Sequence, residues 1–96
     1  MNKEKLKSLI YTILQKYDIK KASYFGSITN GDFTDKSDID ILIEYSGNNK
    51  TLLDLIALKQ ELEEETHRKI DILTYKSINP KIAKQILEQQ EIIYER

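Results

Sequence analysis

Three aspartates stand at positions where aspartate is uncommon. Asp38 and Asp40 lie two residues apart in an isoleucine-rich stretch, and Asp71 lies in a later stretch flanked by isoleucines. Aspartate is disfavoured in β-strands, and alternate residues of a strand point to the same face. The spacing therefore predicts that Asp38 and Asp40 project from one face, where Asp71 joins them if its strand is a neighbour.

Carboxylates gathered in this way need a counter-charge. Two full charges about 4 Å apart repel by roughly 4 kcal/mol at an effective dielectric constant of 20. Some of these carboxylates must therefore be protonated, or the group must bind a cation. Ligands that are all oxygen favour magnesium or manganese, which keep some waters and accept substrate phosphates as further ligands.

A Gly-Ser pair, Gly26 and Ser27, follows the first predicted strand. Glycine lets the backbone approach a ligand closely, and exposed N–H groups with a hydroxyl can hold an anion. A phosphate cradle beside metal-binding carboxylates suits phosphoryl or nucleotidyl transfer by two metals. Each feature alone has a plainer interpretation, as a turn or as the solvated face of a sheet. Because the Gly-Ser pair and the aspartates occur together, the catalytic interpretation is favoured.

The elements that must position these residues follow from hydrophobic periodicity and turn signals. Helices are predicted over residues 3–17, 52–66 and 80–89, and strands over 20–25, 38–45 and 69–75. Residues 26–32 and 46–49 are predicted loops, and residues 92–94 form a last edge strand or pack on the core. The predicted buried face of the second helix consists of Leu52, Leu55, Ile56, Leu58 and Leu62.

This order predicts a single α/β (α+β) domain over residues 1–96. A strand-helix-strand crossover joins the second and third strands, which places them in one sheet. The expected fold is a small mixed β-sheet with helices packed mainly on one face.

Composition narrows the classes of function. The net charge is −1, so a surface that grips a long nucleic acid is not expected. Arg68 and Lys69 are interpreted as part of a solvated face, and His67 as a residue at a helix end rather than a catalytic one. No apolar run reaches the length of a membrane span, and residues 1–5 do not resemble a signal peptide. The lack of cysteine fits a reducing cytoplasm, which is the expected location.

The stretch GSITNGDFTDKSDIDILIE, residues 26–44, resembles the Gly-Ser…Ser-Asp-x-Asp motif of the DNA polymerase beta superfamily of nucleotidyltransferases. The similarity is greatest to the short minimal nucleotidyltransferases, or MNT domains, and extends over nearly the whole chain. It implies that Gly26 and Ser27 hold the phosphates of ATP, and that Asp38 and Asp40 bind both metals. It further implies that Asp71 binds the catalytic metal and helps activate the acceptor, while Ser37 shapes the turn into the strand.

The resemblance also implies a biological role. Such domains are often antitoxins paired with a HEPN-domain ribonuclease toxin, and some are similar to enzymes that transfer AMP from ATP to the toxin's tyrosine hydroxyls. The chain departs from the family pattern at Thr29 and Asn30, because a basic residue often precedes the second glycine. The alternative function, an antitoxin that only masks its partner, therefore stays open. A transferase acting on a small molecule is disfavoured, because those enzymes have a further acceptor domain.

Overall fold

A four-stranded mixed β-sheet forms the centre of the molecule, in the strand order β3-β2-β1-β4. The computed structural model describes residues 2–31 and 33–96, so Met1 and Asp32, the last residue of the predicted 26–32 loop, lie outside it. In chain order the elements are α1 (Lys3–Gln15), β1 (Ile19–Phe25), α2 (Ser27–Asn30), β2 (Ile39–Tyr45), α3 (Leu52–Thr66), β3 (Ile70–Thr74), a 3₁₀ turn (Tyr75–Ser77), α4 (Pro80–Gln89) and β4 (Glu91–Glu95).

The strand pairing confirms the predicted mixed sheet. β2 and β3 are parallel, with α3 as the crossover between them. β1 runs antiparallel to both β2 and β4. The C-terminal segment is thus an edge strand, one of the two outcomes predicted for residues 92–94.

The core lies on the isoleucine face of the sheet, as the alternation in β2 predicts. Ile39, Ile41 and Ile43 are fully buried there, together with side chains of α1 and α3. Burial of an aliphatic side chain contributes about 1.5–3 kcal/mol, so this face supplies most of the hydrophobic stabilisation. The helix side of the core comprises Leu6, Ile10, Ile13, Leu14, Leu58 and Leu62.

Local capping signals set the starts of α3 and α4 as predicted, whereas α1 ends at Gln15, two residues before its predicted end. The Thr51 backbone N–H donates to Asp54 Oδ2 at 2.7 Å, which forms the capping box at the start of α3. Asn79 Oδ1 accepts from the Lys81 N–H at 2.9 Å, and Pro80 opens α4. His67 is the exposed C-cap of α3, in the left-handed region at φ 57°.

The predicted 26–32 loop and the predicted buried face of α3 were each wrong in one respect. The predicted 26–32 loop contains a short helix, α2, because four residues cannot display the periodicity by which a helix is recognised. In α3, Leu52 and Ile56 are 70% and 42% exposed, since the helix N-terminus extends past the edge of the core. Leu58 and Leu62 are fully buried, as predicted.

The contrast between two leucines of α3 gives a direct test of this packing. We expect Leu58→Ala to lower the free energy of unfolding by about 2–5 kcal/mol, because it leaves a cavity in the core. The same substitution at Leu52 should change it by less than about 0.5 kcal/mol, since that side chain already meets solvent. Chemical denaturation measures both, and equal effects would contradict the observed register of α3.

Within the described residues, none of the helices combines the length and apolar character needed to cross a bilayer.

Candidate active site

The carboxylates of Asp40 and Asp71 lie on the face of the sheet opposite the isoleucine core. The two residues are register partners in the parallel β2–β3 pair. Side chains of directly paired residues project from the same face, at neighbouring positions. The structure therefore brings together two of the three predicted aspartates.

Asp38 precedes the first residue of β2, so the strand begins one residue later than predicted. Its Oδ2 lies 3.9 Å from Lys69 Nζ, and both side chains are substantially exposed. The Ile39 N–H donates to the Lys69 carbonyl at 3.0 Å, which joins the start of β2 to the residue before β3. The charge of Asp38 still reaches Asp40, whose pKa it helps to raise, while the Asp38 carboxylate itself faces Lys69.

Gly26 links the Gly-Ser pair to the aspartates. Its φ is +76°, and a β-carbon added there would lie 2.4 Å from Asp40 Oδ2. Only glycine fits, because the backbone conformation and the neighbouring carboxylate both exclude a side chain. The Gly26 carbonyl accepts from the Thr29 backbone N–H and from Thr29 Oγ1, at 3.0 and 2.7 Å. Ser27 begins α2 and is half-buried beside this contact.

The electrostatics agree with this geometry. Burial raises the pKa of the Asp40 carboxyl above its usual range, and the charges of Asp71 and then Asp38 raise it further. A partly buried carboxyl whose ionisation two neighbouring carboxylates disfavour is an arrangement that a cation relieves.

A divalent cation shared with a nucleotide fits this donor set. Within residues 2–31 and 33–96, no three acidic or histidine side chains form a complete metal-binding group. Magnesium is usually held by one or two carboxylates together with waters and substrate phosphates, so a complete protein cage is not required. That Asp38, Asp40 and Asp71 are ligands remains a prediction.

The raised pKa of Asp40 has a consequence for stability. A carboxyl whose pKa is higher in the folded than in the unfolded state makes folding most favourable below the ordinary value of 3.8. That contribution is lost as the pH rises through the raised value. We expect Asp40→Asn, without divalent cations, to melt above the natural protein at pH 7. Solvent screening limits the gain to about 1 kcal/mol.

Thermal melting in a chelator, from pH 7 to below pH 4, checks this prediction. The difference between the two proteins should shrink as the pH falls, because Asp40 then becomes neutral in both states. Glu44→Gln is the matched control, since Glu44 lies on the same strand and lies 3.9 Å from Lys20 Nζ. A lower melting temperature for Asp40→Asn at pH 7 would contradict mutual repulsion among the aspartates.

Sequence reasoning missed polar residues around this face. Ser23 is fully buried, and its Oγ lies 2.6 Å from Tyr75 Oη and 2.8 Å from Gln90 Oε1. Arg68 was interpreted as solvated, but its side chain is only 16% exposed. These residues lack any motif, because their partners lie far away in sequence.

Comparison with known proteins agrees with the geometry. The sequence profile of the family described as Polymerase beta, Nucleotidyltransferase matches residues 8–96. A relative from Methanocaldococcus jannaschii, described as a candidate protein adenylyltransferase, is 46% identical over 89 residues. That alignment covers 93% of this chain and 95% of the relative.

Solved structures show the same fold. A structure described as a minimal nucleotidyltransferase superposes with a TM-score of 0.80 at 26% identity, covering 95% of each chain. A chain in the complex of tri-AMPylated Shewanella oneidensis HEPN toxin with MNT antitoxin gives a TM-score of 0.74 at 17% identity. The match covers 97% of this chain and 72% of that chain, and at this identity it shows the fold alone.

Proposed function

This chain belongs to the polymerase beta nucleotidyltransferase family, and from that premise we propose that it is a metal-dependent protein adenylyltransferase acting as an antitoxin. Its substrate is ATP with magnesium or manganese, and its acceptor is a tyrosine hydroxyl of a HEPN-domain toxin.

The observation that supports this proposal most is the contact between Gly26 and Asp40. The Gly-Ser turn lies against the carboxylate of Asp40, which is itself the register partner of Asp71. A backbone that can approach phosphates therefore adjoins oxygen ligands that can hold the cation accompanying those phosphates. If the aspartates only lined a solvated face of the sheet, a glycine would not be required at position 26.

Relatives and fold neighbours favour a protein as acceptor. The relative from Methanocaldococcus jannaschii is described as a candidate protein adenylyltransferase. One fold neighbour was solved with an AMPylated HEPN toxin. By analogy, the acceptor of this chain is a toxin of that class.

The chain's own residues have separate tasks in this reaction. Backbone N–H groups at Gly26 and Ser27 bind the phosphates, while Asp38, Asp40 and Asp71 hold the metal ions. The metals, when bound, neutralise phosphate charge and lower the pKa of the acceptor hydroxyl. The close approach of Gly26 to Asp40 keeps the phosphate-binding backbone next to the carboxylates.

The transfer forms one bond to the α-phosphorus of ATP and breaks another. The tyrosine oxygen forms a bond to the α-phosphorus of ATP, and the bond from that phosphorus to the bridging oxygen breaks. Pyrophosphate leaves with the electron pair of the broken bond, and the proton of the hydroxyl passes to the Asp71 carboxylate. The products are AMP-tyrosine and pyrophosphate.

Incubation of the protein with α-labelled ATP, magnesium and a HEPN toxin encoded beside it tests the proposal. We expect label on the toxin, and the labelled peptide should contain a tyrosine. A toxin in which that tyrosine is replaced by phenylalanine is the control and should stay unlabelled. Folded proteins that bind one another without any transfer of label would contradict the enzymatic role.

A second candidate function is an antitoxin that neutralises its toxin by binding and masking it. Two observations favour it: position 30 is asparagine where the family often has a basic residue, and Asp38 lies near Lys69. Both features would weaken binding of metal-nucleotide. If an Asp38→Ala/Asp40→Ala variant still neutralises the toxin in cells, masking is favoured. Loss of neutralisation, with the complex intact, favours transfer.

A further inference from the structure

Arg68 lies in the turn between α3 and β3, three residues before Asp71. Its side chain is 16% exposed, which is low for arginine on a domain of this size. A mostly buried guanidinium needs acceptors for its hydrogen-bond donors. The identity of those acceptors indicates what the residue does.

The acceptors belong to the loop that leads into the first two aspartates. Arg68 Nη1 donates to the carbonyl oxygens of Thr34 and Ser37, at 3.2 and 3.3 Å. The guanidinium carbon lies 4.6 Å from the centre of the Phe33 ring, a cation–π contact. Asp35 Oδ1 lies 3.6 Å from Nη2, but the Asp35 side chain is fully exposed.

The loop is folded on itself as well as fastened to Arg68. The Thr34 N–H donates to Ser37 Oγ at 3.0 Å, and the Ser37 N–H donates to the Thr34 carbonyl at 3.1 Å. The next residue along the chain is Asp38. Arg68 therefore fixes a preformed turn immediately before the aspartates, and the Lys69 carbonyl fixes Ile39 immediately after Asp38.

The place of Asp38 in the chain explains why the loop needs support here. Asp38 precedes the first residue of β2, and its side chain is 43% exposed, with the carboxylate 3.9 Å from Lys69 Nζ. Its position therefore depends on the residues on either side of it, which are Ser37 at the end of the loop and Ile39 at the start of the strand. A planar guanidinium that donates to two carbonyls fixes both position and orientation, which a lysine ammonium does less well.

We propose that Arg68 is a positioning residue, which holds the 33–37 loop so that Asp38 and Asp40 stay aligned with Asp71 for metal and nucleotide. This role rests on the proposed function, because it presupposes that the aspartates are ligands. Arg68 does not itself touch the substrate. Its effect is transmitted through the loop.

Arg68→Ala and Arg68→Lys test the role, with Arg96→Ala as the matched control. Arg96 also joins distant parts of the chain, through Ser46 Oγ at 2.6 Å and Asp18 Oδ1 at 3.2 Å. Arg96 lies beside the opposite end of β1 from Gly26, where its backbone N–H donates to the Lys20 carbonyl oxygen. Both alanine variants should therefore lower the melting temperature slightly, but only Arg68→Ala should affect the aspartates.

Binding is measured with manganese alone, by broadening of the Asp40 and Asp71 amide signals, and with magnesium-ATP by calorimetry. We expect Arg68→Ala to weaken both about 10–100-fold, as loss of a supporting residue around a metal site commonly does. Arg68→Lys should show an intermediate loss, and Arg96→Ala no change. Hydrogen exchange over residues 34–40 should accelerate in Arg68→Ala only.

Each alternative result has a definite meaning. If Arg68→Ala lowers the melting temperature but leaves both affinities unchanged, the residue is merely structural and the proposal is overturned. Unchanged hydrogen exchange over residues 34–40 in Arg68→Ala also overturns the proposal, because the loop is then stable without Arg68. If the natural protein binds neither manganese nor magnesium-ATP, the proposed function fails together with the positioning role. Binding by the natural protein and by Arg68→Ala alike refutes the positioning role alone.

Discussion

Removal of two carboxylates, in the variant Asp38→Ala/Asp40→Ala, is expected to abolish the binding of magnesium-ATP. We expect at least about a 100-fold loss of affinity, or roughly 2.7 kcal/mol, because even supporting residues around metal sites contribute 10–100-fold. Calorimetric titration of magnesium-ATP into the natural protein and the variant measures this directly.

The expected loss has two physical parts. In the proposed function, Asp38 and Asp40 supply oxygen ligands and the negative charge that attracts the cation. Without the cation, the proposed site loses the positive charge that would hold the triphosphate beside the Gly-Ser turn. The variant should nevertheless remain folded. In a chelator it should melt no lower than the natural protein, because the unfavourable charge of Asp40 beside Asp71 and Asp38 has been removed.

Glu44→Ala is the control for a carboxylate on the same strand. Glu44 lies four residues after Asp40, at the other end of β2, where Lys20 Nζ is 3.9 Å away. Its removal should leave the affinity unchanged within about twofold. If the natural protein and the double variant bind equally, the aspartates are not ligands. If the natural protein does not bind magnesium-ATP, masking of the toxin is favoured over transfer.

Much of the fold could be predicted from sequence, because the signals that determine it are local. The isoleucine alternation around Asp40 fixes which face of β2 packs against the helices, although Leu42 on the opposite face is buried as well. The crossover through α3 then makes β3 a parallel neighbour of β2. The Thr51–Asp54 box and Asn79 fix helix starts with hydrogen bonds that span two or three residues. Such signals do not depend on the rest of the chain.

The features that sequence did not predict depend on distant contacts. From sequence, Arg68 was interpreted as part of an exposed basic dipeptide. The carbonyl oxygens that accept its hydrogen bonds belong to residues 31 and 34 positions away, so no local pattern reveals them. Leu52 fitted the apolar face of its helix, yet the sheet does not extend far enough to cover it. The need for glycine at position 26 was attributed to a close ligand, whereas the nearest group is Asp40 Oδ2. These outcomes require three-dimensional positions rather than periodicity.

The contact between Gly26 and Asp40 leads to the second large expected effect. In Gly26→Ala, the new β-carbon would lie 2.4 Å from Asp40 Oδ2, so the carboxylate must move. The positive φ adds strain of about 1–3 kcal/mol. We expect the affinity for magnesium-ATP to fall about 100-fold, because disturbing the position of a metal ligand commonly costs about 10–100-fold in affinity. Calorimetry and thermal melting measure the two effects separately.

Gly31→Ala is the comparison that separates strain from contact. Gly31 also has a positive φ, of +86°, but a β-carbon there meets nothing within 4 Å. Its variant should lose stability while keeping its affinity for magnesium-ATP.

A double-mutant cycle with Asp40→Ala then isolates the contact between Gly26 and Asp40. In that background Gly26→Ala should cost less stability, by about 1 kcal/mol or more, because the group it displaces is gone. An equal cost in both backgrounds would mean that backbone strain alone requires glycine at this position. The Gly-Ser turn would then be a structural neighbour of Asp40 rather than part of one nucleotide site with it.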